Sequence, residues 1–133
     1  MNKKQYAPIL ESTEKVGKAV LDAAYKVHTA LGPGLLESAY EAPMAYELRK
    51  SGLRVATQVS VPVLYEGIEL KTAFRIDMLV ENCVVVELKA VETMNSIYEA
   101  QLLTYLRLSN HRLGFLINFY VRRLKYGIKR MVV

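Results

Sequence analysis

The sequence predicts an α/β or α+β domain in which helices pack on a mixed central sheet, and three observations carry that expectation. Apolar residues recur at helical spacing in two early stretches, a capping box opens a third helix late in the chain, and the stretches between and after them alternate with a period of two. Three consecutive strands are followed by a helix and then further strands, so that helix must cross over the sheet. The expected order is ααβββαββ.

Residues 1–12 are expected to form a flexible arm and residues 13–133 a single domain. Val16, Ala19, Val20, Ala23, Ala24, Val27, Ala30 and Leu31 mark the first helix, which Ser12 or Thr13 would cap and Gly32-Pro33-Gly34 would end. His28 falls on its last turn, where the helix dipole favours it. Leu36, Ala39, Tyr40, Met44 and Leu48 make the apolar side of a second helix that stops at Gly52, with Glu37 in its first turn and Pro43 expected to kink it.

From Arg54 to Tyr65 one face carries Val55, Thr57, Val59, Val61, Val63 and Tyr65, a long strand expected to bend near Pro62. Glu66-Gly67 turns into a second strand, Ile68 to Val80. A third follows a tight turn at Glu81-Asn82-Cys83. Ser96 and Glu99 fit a capping box for a third helix ending near Ser109. Leu113 to Phe119 is a fourth strand, and a fifth is expected from about Leu124 to Val133.

Ionisable residues interrupt the apolar central hairpin. Glu87 and Lys89 must share a face, because strand side chains alternate. If Asn82 is the centre of a three-residue loop, Asp77 lies opposite Glu87 on that face and Arg75 opposite Lys89. Two accounts remain open. The carboxylates could be paired with Arg75 and Lys89 in a half-buried ion network, or they could hold a divalent cation such as Mg²⁺, which takes one or two carboxylates together with waters and phosphates.

Composition excludes several classes of function. Hydrophobic residues make up 52% and charged residues 23%, as in a globular protein rather than a disordered one. No apolar run is long enough to span a membrane and no signal-peptide core follows Met1, so a cytoplasmic protein without a membrane partner is expected. One cysteine, Cys83, leaves no disulfide partner, and with two histidines there is no zinc-ligand spacing. Within a net charge of +5, Arg122, Arg123, Lys125, Lys129 and Arg130 cluster without an acid among them. They suit either a phosphate backbone or the protection of an edge strand.

Asp77 followed by Glu87-Leu88-Lys89 on the next strand resembles the D…(D/E)xK signature of the PD-(D/E)xK nuclease superfamily, with Ile76 where the superfamily's name has Pro. Glu37 on a preceding helix and Gln101 on the following one fit the same pattern. Gly34-Leu35-Leu36-Glu37-Ser38-Ala39-Tyr40 is similar to the name-giving motif of the GxxExxY protein family. Gln58-Val59, Gln101-Leu102-Leu103-Thr104-Tyr105-Leu106 and Leu116-Ile117-Asn118-Phe119 resemble it too, so the likeness covers nearly all of the chain after residue 12.

This resemblance implies a restriction-endonuclease-like core and a metal-dependent nuclease acting on nucleic acid, DNA being the expected substrate. Asp77, Glu87 and the Leu88 carbonyl would hold one Mg²⁺ (or Mn²⁺), which Glu37 would reach directly or through water. The ion would activate a water and neutralise charge on the scissile phosphate. Lys89 would orient the attacking water and stabilise developing charge. Gln101 would position Lys89 or touch the backbone of the substrate, with Tyr40 and Tyr105 as walls, ordinary packing being the alternative for all three. Arg75 and the basic cluster would bind phosphates. A domain this small would draw its specificity from a partner, a homodimer mate or nucleic-acid structure. The rival expectation is a noncatalytic nucleic-acid-binding or protein-interaction module that keeps the fold.

Overall fold

The computed structural model describes residues 7–133, apart from the side chain of Thr72. Residues 1–6 of the expected arm lie outside the described residues. Helix α1 (Glu11–Leu31) begins before the expected caps: Leu10 holds the N-cap position and no side chain caps the helix. Glu11 and Glu14 in the first turn supply the negative charge that the unpaired amides favour. Ala7 and Pro8 ahead of it are tied down through their carbonyls, which accept the Arg112 guanidinium at 2.6 and 3.2 Å.

Helix α2 (Ser38–Lys50) carries Pro43 within it and continues to Lys50. Strands β1 (Val55–Tyr65), β2 (Ile68–Val80) and β3 (Val84–Lys89) form an antiparallel meander, and α3 (Ser96–Ser109) crosses over to β4 (Leu113–Asn118), parallel to β3. Strand β5 (Ile128–Val132) closes a five-stranded sheet of order β1-β2-β3-β4-β5, antiparallel to β4. The expected mixed sheet flanked by helices is therefore the observed architecture. No helix among the described residues is long and apolar enough to cross a membrane.

Two local expectations are corrected. The cap of α3 is Asn95, whose Oδ1 accepts the Ile97 amide at 3.0 Å, so the helix starts one residue ahead of the expected box. The fifth strand starts at Ile128 because Leu124–Tyr126 close into a 3₁₀ turn, with Leu124 buried and the Gly127 amide donating to its carbonyl at 2.8 Å.

Both faces of β3 and β4 are covered, which is why neither strand shows polar alternation. On one face Met78, Val80, Val84, Val86, Phe115 and Ile117 pack under α1 and α2. On the other, Val85 and Leu116 meet Leu102 and Leu106 of α3. Gly114 permits that approach, since a Cβ there would sit 3.2 Å from both leucines.

The β1–β2 hairpin changes sides partway along. Val55, Met78 and Val80 belong to the α1/α2 core, but Val59, Val61, Phe74 and Ile76 belong to the α3 core. On a straight strand residues two apart share a face, so the single apolar face expected from Val55 to Tyr65 is broken. The break falls at Gln58, whose φ is +52°, and opposite it at Asp77; the ladder pairs Thr57 with Met78 and Val59 with Ile76 but not these two. A second irregularity, between Val61 and Val63, coincides with the bend expected at Pro62.

Candidate active site

The geometry follows from where the β2–β3 ladder stops. Val80 pairs with Val84 around a three-residue turn centred on Asn82, which adopts the expected left-handed conformation at φ +51°. Pairing ends at Met78 and Val86. One step further the strands are joined by side chains instead. The Leu88 amide donates to Asp77 Oδ2 at 2.9 Å, and the Asp77 amide donates to Glu87 Oε1 at 3.1 Å. Arg75 pairs instead with Ser60 of β1 and is exposed, so it does not sit across the ladder from Lys89 as expected.

Glu87 is only 8% exposed, and its carboxyl is pushed up to about 8, chiefly by burial and then by the charge of Asp77. Neither carboxylate meets a basic side chain within 4.0 Å among the described residues, whose ion pairs all lie elsewhere. The Lys89 ammonium lies 4.6 Å from the centre of the Tyr98 ring. Its main chain is anchored from β4. The Phe119 amide donates to the Lys89 carbonyl at 2.8 Å, and the buried Asn118 amide brackets Val91, accepting from its N–H at 3.1 Å and donating to its carbonyl at 2.9 Å. Sequence reasoning missed both Tyr98 and Asn118. Tyr98 was legible as the residue one helical turn before Gln101 on the same face.

Glu37 stands at the N-cap position of α2. Burial raises its carboxyl pKa; the charge of Lys89 opposes the shift, and those of Asp77 and Glu41 reinforce it. Tyr40, expected as a wall, is completely buried. It stacks on Phe119 with centroids 4.3 Å apart, donates its hydroxyl to the Gly32 carbonyl at 2.7 Å and accepts the Leu35 amide at 3.2 Å. Gly34, at φ +102°, lets the chain take the turn that these bonds hold. The Gly34–Tyr40 motif thus works as a clasp that brings Glu37 to the site.

Glu37, Glu41, Gln58, Asp77 and Leu88 line a cleft of about 490 Å³. Gln58 Nε2 donates to Glu41 Oε2 at 2.9 Å and to Asp77 Oδ1 at 3.4 Å, which links the break in β1 to the carboxylate opposite. Sequence reasoning assigned Glu41 and Gln58 no role; Glu41 was within reach as the residue one helical turn after Glu37. Across the site Tyr105 stacks on Phe74 at 4.3 Å, and its hydroxyl pKa is raised by burial and then by the charges of Glu87 and Asp77. Gln101 is exposed on α3, and Lys89 meets Tyr98 in place of Gln101.

Asp77 and Glu87 supply the hard oxygen donors that Mg²⁺ or Mn²⁺ would take. A strand residue directs its N–H and C=O toward the same neighbour, so the Leu88 carbonyl faces the gap in which its amide meets Asp77. Among the described residues no three His, Cys, Asp or Glu side chains converge closely enough to hold a metal ion. Glu37, expected to reach such an ion directly or through water, lines the same cleft as Asp77 and Leu88.

The basic residues do not form one patch. Arg130 makes a two-pronged pair with Glu14 of α1 at 2.7 and 2.9 Å, facing away from the neighbouring Lys129. Arg122, Arg123 and Lys125 are exposed on the β4–β5 connection. His28 Nε2 hydrogen-bonds the Val121 carbonyl at 2.7 Å, tying the last turns of α1 to the β4–β5 connection. A family model described as the PD-(D/E)XK nuclease superfamily matches residues 14–131. No curated protein and no solved structure matches the chain.

Proposed function

The chain belongs to the PD-(D/E)XK nuclease superfamily, and from that premise we propose that it is a metal-dependent nuclease that hydrolyses phosphodiester bonds in DNA. One observation carries this: Asp77 and Glu87 are bound to each other's strands where the ladder ends, Glu87 is buried, and among the described residues no basic side chain comes within 4.0 Å of either carboxylate. Burial and the charge of Asp77 raise the Glu87 carboxyl to about 8, so ionising both acids costs stability that a bound divalent cation would offset. The narrower likeness to GxxExxY proteins supports the same site, since the motif's glutamate lines the cleft.

In this mechanism Asp77, Glu87 and the Leu88 carbonyl would hold Mg²⁺ or Mn²⁺. When bound, such an ion would supply an activated water and positive charge at the scissile phosphate. Lys89, restrained by the Tyr98 ring and by its anchored main chain, orients the nucleophile and stabilises charge developing on the phosphate. Glu37 accepts a hydrogen bond from water further along the cleft. Tyr105 closes the opposite side and limits solvent access, and exposed Gln101 meets the substrate backbone. Arg75, Arg122, Arg123, Lys125 and Lys129 contribute phosphate contacts.

The rival noncatalytic module is favoured by one feature, the lack of a third converging carboxylate among the described residues. Incubation with single-stranded, duplex and branched DNA and with RNA, in Mg²⁺, Mn²⁺ or EDTA, decides between them. A nuclease cleaves at least one substrate with metal and none in EDTA, and Lys89→Met lowers the rate by about a hundredfold or more. Cleavage that survives both EDTA and Lys89→Met would come from a contaminant and end the proposal.

A further inference from the structure

Beside the cleft, and sharing Ser38 and Glu41 with it, runs a larger groove of about 700 Å³ between α2 and the edge strand β1. Its α2 side offers Ala42 and Ala45, whose short side chains leave room, then Tyr46, Arg49 and Lys50; Thr57 forms the β1 side. From Ser38 to Lys50 the helix rises about 18 Å, enough for a few nucleotides. We infer that this groove binds a single-stranded segment of nucleic acid continuing from the cleft, with a base stacked on Tyr46 and the backbone held by Arg49 and Lys50.

Three properties point to this occupant. Tyr46 is 62% exposed, an aromatic face that core packing does not use, and every base can stack on such a face. Both cations lie at the far end of the groove. Arg49 is fixed there, donating one N–H to the Val55 carbonyl at 2.9 Å, which leaves other donors of its fork for phosphate oxygens. Lys50 Nζ lies 5.9 Å from the Tyr46 ring centre, so stacking platform and charge are side by side. Positive charge beside an aromatic platform is the arrangement by which single strands are held.

Continuity with the cleft makes the occupant a substrate strand rather than an unrelated ligand, and to that extent the inference rests on the proposed function. A duplex does not fit the same role, because its base faces are already stacked on each other. A protein partner would have no use for the groove's opening onto the carboxylates.

The test measures binding without chemistry. In EDTA, fluorescence anisotropy of a labelled oligothymidylate and of a hairpin duplex of equal length is recorded for wild type, Tyr46→Ala, Tyr46→Phe and Lys50→Ala, with thermal melts to establish folding. Tyr46→Ala should weaken single-strand binding by about five- to a hundredfold, while Tyr46→Phe, which keeps the ring, stays within about twofold of wild type. Lys50→Ala should reduce the slope of log K against log salt by about 0.7, the value for one phosphate on a single strand. The duplex should respond little to Tyr46→Ala. Unchanged oligothymidylate affinity in folded Tyr46→Ala, equal losses in the Ala and Phe variants, or no single-strand binding by wild type would each overturn the inference. Its failure is separable from that of the nuclease proposal. Strand binding through Tyr46 without cleavage sustains the groove alone, and metal-dependent cleavage with Tyr46-independent binding sustains the nuclease alone.

Discussion

Asp77 and Glu87 hold each other's strands: the carboxylate of Glu87 takes the amide of Asp77, and the carboxylate of Asp77 takes the amide beside Glu87. This reciprocity fixes both acids where the ladder ends. It also sets them close enough to repel, which gives stability a particular dependence on pH and on cations.

Glu87 should make the metal-free protein less stable as pH rises. Its folded pKa, about 8, lies above its unfolded value, so between roughly pH 4.5 and 8 the folded state holds a proton that the unfolded state has lost. The contribution is fully present below the unfolded pKa and disappears as pH passes through the folded one. Chemical denaturation in EDTA at intervals from pH 5 to 8.5 should show this decline, and Glu87→Gln should flatten it. Binding of Mg²⁺ at pH 7 should release protons, measurable as a dependence of the binding enthalpy on buffer ionisation. An equal pH slope in wild type and Glu87→Gln would refute the assignment.

Asp77→Asn separates a cation site from a structural ion pair. Asparagine can still accept the Leu88 amide and removes one of the crowded charges, so the EDTA stability should stay within about 1 kcal/mol of wild type. Stabilisation by Mg²⁺ should vanish; for a site at tenfold excess over its dissociation constant that is only about 1.4 kcal/mol in wild type. Had Asp77 been salt-bridged in the interior, the loss would be roughly 3 kcal/mol. Thermal and urea melts with EDTA and with Mg²⁺ distinguish the two.

Tyr40→Phe should reveal the clasp. The ring stack on Phe119 survives, but the Gly32 carbonyl and the Leu35 amide lose their partner in a partly buried place, a cost of about 1 to 3 kcal/mol. If Glu37 depends on that loop for its position, activity at a temperature where the variant is folded should also fall. Wild-type stability in Tyr40→Phe would show that the hydroxyl bonds contribute nothing.

The basic residues should divide by their partners. Neutralising Arg122, Arg123 and Lys125 together should weaken nucleic-acid binding and flatten its salt dependence, by up to about 0.9 per lost contact on a duplex. Arg130→Ala, which frees Glu14, should leave the salt slope unchanged and lower the melting temperature. A slope change in Arg130→Ala matching that of the triple variant would show that its pair with Glu14 opens in the complex.

The central hairpin was readable because two simple rules, alternation and loop count, place Asp77 against Glu87 with no knowledge of the rest of the chain. Helix order and the crossover were readable for the same reason: each depends on local periodicity. Tertiary competition hid the rest. Nothing local says that Arg130 will meet Glu14 across the sheet, that Asn118 will bracket Val91, or that Gln58 will take a left-handed backbone in mid-strand. Tyr40 was readable on the apolar side of its helix, and its stack on Phe119 favours the packing account over that of a cleft wall.

The parallel seam between β3 and β4 governs when the site can exist. Glu87 and Lys89 pair there with Leu116 and Asn118, residues that reach them only after the whole α3 crossover has closed. Such non-local pairing forms slowly compared with a hairpin, because loop closure must precede any gain from contact. The β2–β3 hairpin can bring Asp77 and Glu87 together early, but the anchoring of Lys89 through Phe119 and Asn118 waits for the seam. A chain still emerging from synthesis would therefore carry its two acids without the positioned lysine, and the candidate site would be complete only when the fold is.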